Sequence, residues 1–526
     1  MVTVGIYGID LGTTNSCIAL VNRATDKSEV RPNSTGELTT PSAVYFEKDN
    51  PEPVVGKEAK RWARIAPSRV CLEVKRHMGE DDWRFDVRGK QYRPEAISAF
   101  ILKKVVRDAL LADDTPEADA TPVVISIPAY FGDGERRATR AAGQAAGLNV
   151  KDLVPEPVAA AFSYGFGRAT SPQNLLVYDL GGGTFDVTVV RVDGKSAHTV
   201  ATEGVRLLGG ADWDRELVHH IRERIKQAHG VDLPVGEERG LDENPELSQQ
   251  LYFEAENAKM ALSATNRTSA TVHFGGQSYS VEITVDELDS LTKALLDRTV
   301  DKTREAIAAA ERNGVKTIDK LLLVGGSSRM RQVKKRLQEE LGFEGQLHDP
   351  DQAIAKGAAL VGRLIEQGKY APETAVGGKA VPSLSVLSFV NSKSLGIRVR
   401  RGESTEEFVD YLIPRNSKLP YSQTKTYYTI QEQQSSFALR VMEQRQEPSE
   451  VVEENTLVHE KPLQLPVPLP LNSPLEVTYS LDSQGLLHIR VKEPKSGKDF
   501  EVEVDRRGKI SDQEIKDLKA EVALTH

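Results

Sequence analysis

The chain has 526 residues, 39% of them apolar, and carries a formal charge of −9. That length exceeds what one hydrophobic core accommodates, so two or more domains are expected, and the absence of any run of eighteen apolar residues excludes a helical membrane span. Charge spread along the chain argues against a nucleic-acid footprint, and two cysteines, Cys17 and Cys71, are too few for a disulfide framework or a zinc site.

Residues 6–10 read as a buried strand that passes through Gly12-Thr13-Thr14-Asn15-Ser16 into a second apolar stretch at 17–21. The arrangement recurs at 175–179, through Gly181-Gly182-Gly183-Thr184, into 185–189. Asp10-Leu11-Gly12-Thr13 and Asp179-Leu180-Gly181-Gly182 therefore both predict strand, tight turn, strand. Glycine tolerates the positive φ of a tight hairpin and leaves backbone N–H groups open to an anion. Two such turns facing each other form a clamp for one polyphosphate. A P-loop is excluded, because Gly194-Lys195-Ser196 lacks the upstream glycine, and neither turn opens a helix as dinucleotide-binding turns do.

Roughly the first 370 residues alternate strand and helix signals and predict an α/β architecture. Val123-Val124-Ile125-Ser126-Ile127 and Leu321-Leu322-Leu323-Val324 are apolar runs closed by Pro128 and by Gly325-Gly326, the pattern of buried strands feeding helices. Glu256, Lys259 and Ser263 share one stripe of a helix. After Val381-Pro382 the helical period stops. Runs rich in β-branched and aromatic residues at 394–400, 425–431, 436–443, 475–481, 486–493 and 498–504 predict an all-β sandwich. The segment 384–390 is a linker or a strand. Ser511-Asp512-Gln513-Glu514 is a capping box, with Ile510 and Ile515 in staple positions, so a helix of about four turns begins there. Its apolar face is Ile515, Leu518 and Val522.

Taken in order, these stretches resemble the seventy-kilodalton heat-shock chaperones of the DnaK type. The resemblance is carried by Gly8-Ile9-Asp10-Leu11-Gly12-Thr13-Thr14-Asn15-Ser16, Val124-Ile125-Ser126-Ile127-Pro128-Ala129-Tyr130-Phe131, Glu156-Pro157, Asp179-Leu180-Gly181-Gly182-Gly183-Thr184-Phe185-Asp186, Val324-Gly325-Gly326-Ser327-Ser328-Arg329 and Leu412-Ile413-Pro414-Arg415-Asn416. It implies a two-lobed actin-like ATPase domain, a duplicated ribonuclease-H-like fold, over 1–380. A linker over 381–392, a β-sandwich substrate domain over 393–507 and the start of a truncated lid helix over 508–526 follow. The implied activity is hydrolysis of ATP to ADP and phosphate, with Mg2+ and K+, the nucleotide state controlling the binding of exposed hydrophobic segments of client proteins. A J-domain co-chaperone and a nucleotide-exchange factor are the implied partners, with no nucleic acid, no membrane and a cytoplasmic location.

By the same resemblance, Lys75, Glu156, Asp10, Asp179 and Thr184 form the catalytic set. Asp10, Asp179 and Asp186 hold the cations, mostly through water, as a hard ion that dehydrates reluctantly requires. Gly12, Thr13, Thr14, Asn15, Gly181, Gly182 and Gly183 wrap the phosphates. Glu256, Lys259, Ser263, Gly325, Gly326, Ser327, Arg329 and Asp351 take the adenosine, with Met260 covering the base through its polarizable thioether. Pro128 and Arg136 relay the nucleotide state sensed at Glu156. The peptide cleft is implied at Ile397, Tyr427, Ile430, Phe437, Leu439 and Leu475, where backbone hydrogen bonds and one apolar pocket hold an extended segment. Some positions depart from the family pattern. Ser388 replaces a leucine and Phe389 an aspartate in the linker, removing a charged contact to Arg415; Ala211 replaces a glutamate and Arg331 a proline. The altered linker keeps open an alternative, a regulatory or assembly factor that binds ATP with weak or uncoupled hydrolysis. A small-molecule kinase would use the same clamp but leaves the β-sandwich without a role.

Overall fold

The computed structural model describes residues 5–50, 52–115, 120–165, 171–193, 196–235, 244–370, 387–388, 390–402, 404–445, 447–482, 487–494, 497–504 and 512–522. The first glycine turn joins Tyr7–Asp10 to Asn15–Asn22 as an antiparallel hairpin with Asp10 opposite Cys17. Pro122–Ile127 adds in parallel beside Tyr7–Asp10, Asn149–Pro155 adds beyond it, and Lys27–Val30 extends the other side. Around the second turn, Gln173–Leu180 and Phe185–Asp193 form the hairpin. Lys320–Val324 and Gly345–Leu347 add in parallel on one side and Ser196–Val205 on the other. The repeat seen at the turns is thus a repeat of the strand order around them. Val124, Leu322 and Val324 are fully buried, which is why these strands read as unbroken apolar runs rather than alternating ones.

Two helices join the sheets. Ala353–Glu366 packs on the first sheet, Glu156–Gly165 on the second, and the pair cross each other. Their contact is built from small residues, among them Ala159, Ala160, Ala358 and Gly357. A Cβ at Gly357 would stand 1.8 Å from the carbonyl oxygen of Ala159. The close crossing directs the start of both helices, Glu156 and the approach at Asp351, into the space between the two glycine turns.

The β-rich part packs two four-stranded sheets around one apolar cluster. One holds Glu407–Ile413, Leu395–Arg400, Gln434–Gln444 and Asn455–Leu469; the other holds Tyr421–Tyr428, Pro474–Leu481, Leu487–Glu493 and Lys498–Val504. The run expected at 425–431 lies instead at Tyr421–Tyr428. Two of these strands escape the sequence pattern. In Glu407–Ile413, Glu407 and Asp410 interrupt the apolar signal. In Asn455–Leu469, Pro462, Pro466 and Pro468 argue against a strand, yet it lies at the sheet edge, where a missing N–H costs no ladder bond.

The α/β and β parts touch at several points. Leu387–Ser388 pairs in parallel with Ala197 and His198 at the edge of the second sheet, so this piece of the 384–390 segment is a strand; residues 384–386 and 389 lie outside the described residues. Arg415, whose linker contact the sequence forfeits, is not left without an acid: it pairs with Glu203 at 3.0 Å, Glu305 at 3.2 Å and Glu447 at 3.1 Å. The final helix, Asp512–Val522, buries Leu518 and Val522 in the cluster that holds Phe100 of the first lobe, and Glu521 meets Arg93 at 2.5 Å. Ile510 and Ser511, the staple and capping residues expected there, lie outside the described residues.

Candidate active site

A cavity of about 500 Å³ opens between the facing turns. Asp10, Gly12, Thr13, Thr14 and Asn15 line it from one side and Asp179, Gly181, Gly182 and Thr184 from the other. Gly183 packs just behind, against Thr13, and Asp186 stands opposite Asp179 in the hairpin register. The second turn is tied to the helix Gly210–His229, whose Gly210 and Ala211 donate backbone N–H groups to the carbonyls of Gly181 and Gly182 at 2.9 and 2.8 Å.

At the floor, Lys75 rises from the short 3₁₀ turn Val74–His77, and Glu156 begins its helix. Lys75 Nζ lies 2.5 Å from Glu156 Oε1, with both side chains buried. Burial works against the ammonium, but the charges of Glu156 and Asp10 outweigh it, so its pKa is raised and it stays a cation. The carboxylates respond in the opposite sense. Burial first, then the charge of Glu156, pushes Asp10 up to about 7 against the opposing pull of Lys75, and the same two causes raise Asp179 and Asp186.

Asp179 Oδ2 and Asp186 Oδ1 are buried with no protein hydrogen-bond partner. Oxygen-only donors with open lone pairs suit a hard divalent cation. Among the described residues no three His, Cys, Asp or Glu side chains converge to ligate an ion directly, so these residues fit an ion that would keep its waters, and Asp10, Asp179 and Asp186 are the side chains that would hold it.

The other end of the cavity is where Glu256 and Lys259 of the helix Pro245–Leu262, with Ser263 at its C-cap, face Gly325, Gly326, Ser327 and Arg329. Asp351 lines the same wall and pairs with Arg329. Lys259 bonds Asp214 and the carbonyl of Gly210, each at 2.8 Å. Met260 is exposed at the rim. Sequence reasoning missed several members. Lys60 reaches across the mouth to Glu256 at 2.6 Å; Ser42 donates to the carbonyl of Gly12 at 2.7 Å. Arg331, noted in the sequence only as a departure, ties to the C-terminal end of the helix Pro245–Leu262, donating to the carbonyl of Ser263 at 3.1 Å and to Asn266 Oδ1 at 2.8 Å. Arg76 pairs with Asp212, next to Ala211, at 2.9 Å. None of these pairings leaves a local sequence signal, because each joins residues that only folding brings together.

Pro128 and Arg136 lie outside the cavity lining, after Pro122–Ile127 and in the helix Asp133–Ala145. In the β-sandwich, Ile397, Leu439 and Leu475 are buried in one cluster, and Tyr427 and Phe437 pack half-buried against it. Ile430 is exposed beyond the end of Tyr421–Tyr428. The Tyr427 hydroxyl donates to Asp410 Oδ2 at 2.9 Å, which fixes the ring.

Comparison with known proteins fits this architecture. The family model described as Hsp70 protein matches residues 6–87 and 80–525. The chaperone protein DnaK of Thermotoga neapolitana is 36% identical over 522 residues, covering 97% of this chain and 82% of the relative. That of Halobacterium salinarum is 34% identical, covering 98% and 77%, and that of Thermosipho melanesiensis 35% identical, covering 97% and 82%. The chain belongs to the Hsp70 family of ATP-dependent molecular chaperones, whose members hydrolyse ATP. Among the described residues no helix is long and apolar enough to cross a membrane.

Proposed function

We propose that this chain hydrolyses ATP between the two glycine turns and uses the nucleotide state to control a peptide cleft in the β-sandwich. The observation that carries the reading is the buried Lys75–Glu156 pair at the floor of a cavity lined by both turns. The backbone of 12–15 and 181–184, with Thr13 and Thr14, holds the β- and γ-phosphates. The Lys75 ammonium orients the attacking water and balances charge on the transferred phosphoryl group, while Glu156 fixes Lys75 and senses the γ-phosphate; Thr184 lines the same cavity. Such hydrolysis needs positioning and electrostatics rather than covalent chemistry. Asp10, Asp179 and Asp186 would hold magnesium, which when bound would supply positive charge to the phosphates, and K+ is the monovalent ion proposed with it. Glu256, Lys259, Ser263, Arg329 and Asp351 take the adenosine.

On this reading the actin-like, ribonuclease-H-like ATPase domain spans 1–380, the linker 381–392, the peptide domain 393–507 and the lid helix begins at 508. Extended apolar segments of client proteins bind at Ile397, Tyr427, Phe437, Leu439 and Leu475 under Ile430, a J-domain protein and an exchange factor act with the chain, and the location is cytoplasmic. Pro128 and Arg136 carry the signal between sites. Steady-state hydrolysis with and without a short unstructured apolar peptide tests the reading: stimulation by peptide is expected. Hydrolysis that ignores peptide would favour the alternative of a docking or assembly factor.

A further inference from the structure

Just past the linker, four positions after Phe389, stands a buried base, Lys393. Lys393 precedes Leu395–Arg400, and its side chain is enclosed between the helix Asp133–Ala145 and the strand Gln434–Gln444. Its ammonium lies 3.4 Å from Glu135 Oε1 of the helix and 3.3 Å from Glu443 Oε1 of the strand. Side-chain exposure is 11% for Lys393, 11% for Glu135 and 5% for Glu443, so water does little of the screening. The approach is tight: a Cβ at Gly132 would come 2.6 Å from Lys393 Nζ and 2.4 Å from Glu443 Oε1. Burial opposes the charge on Lys393, but Glu443 and Glu135 outweigh it and raise its pKa.

The contact therefore joins the start of the β-sandwich, just after the linker, and its strand Gln434–Gln444 to the first turn of the helix that carries Arg136, a few residues after Pro128. When these parts separate, each carboxylate regains water. When they close, the cation between them offsets their desolvation and mutual repulsion.

We propose that Lys393 is a positioning residue for ATP turnover: by holding Glu443 against Glu135 it transmits the placement of the β-sandwich to the Pro128–Arg136 relay, in place of the charged linker contact this chain lacks. The proposal rests on the peptide-coupled reading above for its effect on turnover, and on geometry alone for the joint.

The test uses the full chain, with spin labels at Leu111→Cys and Leu457→Cys, two exposed positions on the first lobe and the β-sandwich; Cys17 and Cys71 are buried and stay unlabelled. Label separation in ATP and the ratio of hydrolysis with and without apolar peptide are read on the same samples. Lys393→Met should shift the population from the short to the long separation by about a hundredfold or more in equilibrium constant and bring the peptide ratio towards one. The swap Lys393→Glu with Glu443→Lys rebuilds one base between two acids and should recover both readouts. Retention of the short separation by Lys393→Met overturns the proposal. So does loss of both readouts that the swap fails to recover, since packing rather than charge would then explain the loss. If the unsubstituted chain is indifferent to peptide, the coupled reading falls, and the separation still decides whether Lys393 holds the joint.

Discussion

Lys75→Ala takes the cation out of a floor where Glu156, Asp10 and Asp179 face the same cavity. Lys75 Nζ sits 2.5 Å from Glu156. At an effective dielectric near 20, unit charges about 4 Å apart interact by about 4 kcal/mol, which sets the scale of what the phosphoryl group would feel. Removing one preorganised donor from a site of developing negative charge costs roughly 10²–10³ in rate, or about 3–4 kcal/mol. The cost to the fold is at most of similar size, since breaking a buried pair costs up to about 3–5 kcal/mol, and Asp10, raised to about 7, can take up a proton and reduce it. The assay is single-turnover hydrolysis of a preformed ATP complex, with binding measured by calorimetry on the same protein. The expected result is retained ATP binding with turnover down by roughly a hundredfold or more. Turnover within about threefold of the unsubstituted chain would refute the argument, as that is under 1 kcal/mol of barrier. Lys75→Met, which fills the same space, separates charge from cavity effects.

Gly182→Ala puts a Cβ 1.8 Å from the Thr14 hydroxyl across the clamp; ATP affinity should fall about tenfold or more while the melting temperature without nucleotide holds, and unchanged affinity would mean the turns do not grip the phosphates. Phe437→Asp places a charge against the apolar cluster of the sandwich, so peptide binding by fluorescence anisotropy should disappear with peptide-free ATP hydrolysis intact; persistent binding would move the cleft elsewhere. Glu203 is raised to about 7 by burial, against the opposing charge of Arg415. Its folded pKa lies above the ordinary 4.5, so its protonation stabilises the folded chain below that value and the contribution is lost as pH rises through about 7, on the order of 2–3 kcal/mol. Thermal unfolding from about pH 4.5 to about pH 7, the window between the two pKa values, should show the decline, and Glu203→Gln should flatten it; an identical slope in the variant would remove Glu203 as its source.

Much of the molecule is local and therefore written in the chain. The hairpins and their duplication are legible because glycine stands between apolar strands, although the reason differs from the expected positive φ, which neither Gly12 nor Gly181 adopts: a Cβ at Gly12 would stand 2.0 Å from the carbonyl oxygen of Asn15. The parallel strands at 123–127 and 321–324 declare themselves because burial on both faces removes polar alternation. Strand Glu407–Ile413 and the proline-bearing edge Asn455–Leu469 were hidden, since one carries charges set by its neighbours and the other tolerates proline by its place in the sheet. Lys75 by itself is one lysine among many; it becomes a buried cation because Glu156, 81 residues away, is delivered to it by a helix crossing that Gly357 permits. The same holds for Arg415, which finds Glu203, Glu305 and Glu447 in place of its forfeited linker partner, and for Lys393 between Glu135 and Glu443. Backbone geometry and burial pattern are properties of neighbours in sequence, whereas charge pairing acts between groups that are neighbours only in space, which is why the sequence alone determined the two glycine turns and the tertiary structure decided which charges face the cavity between them.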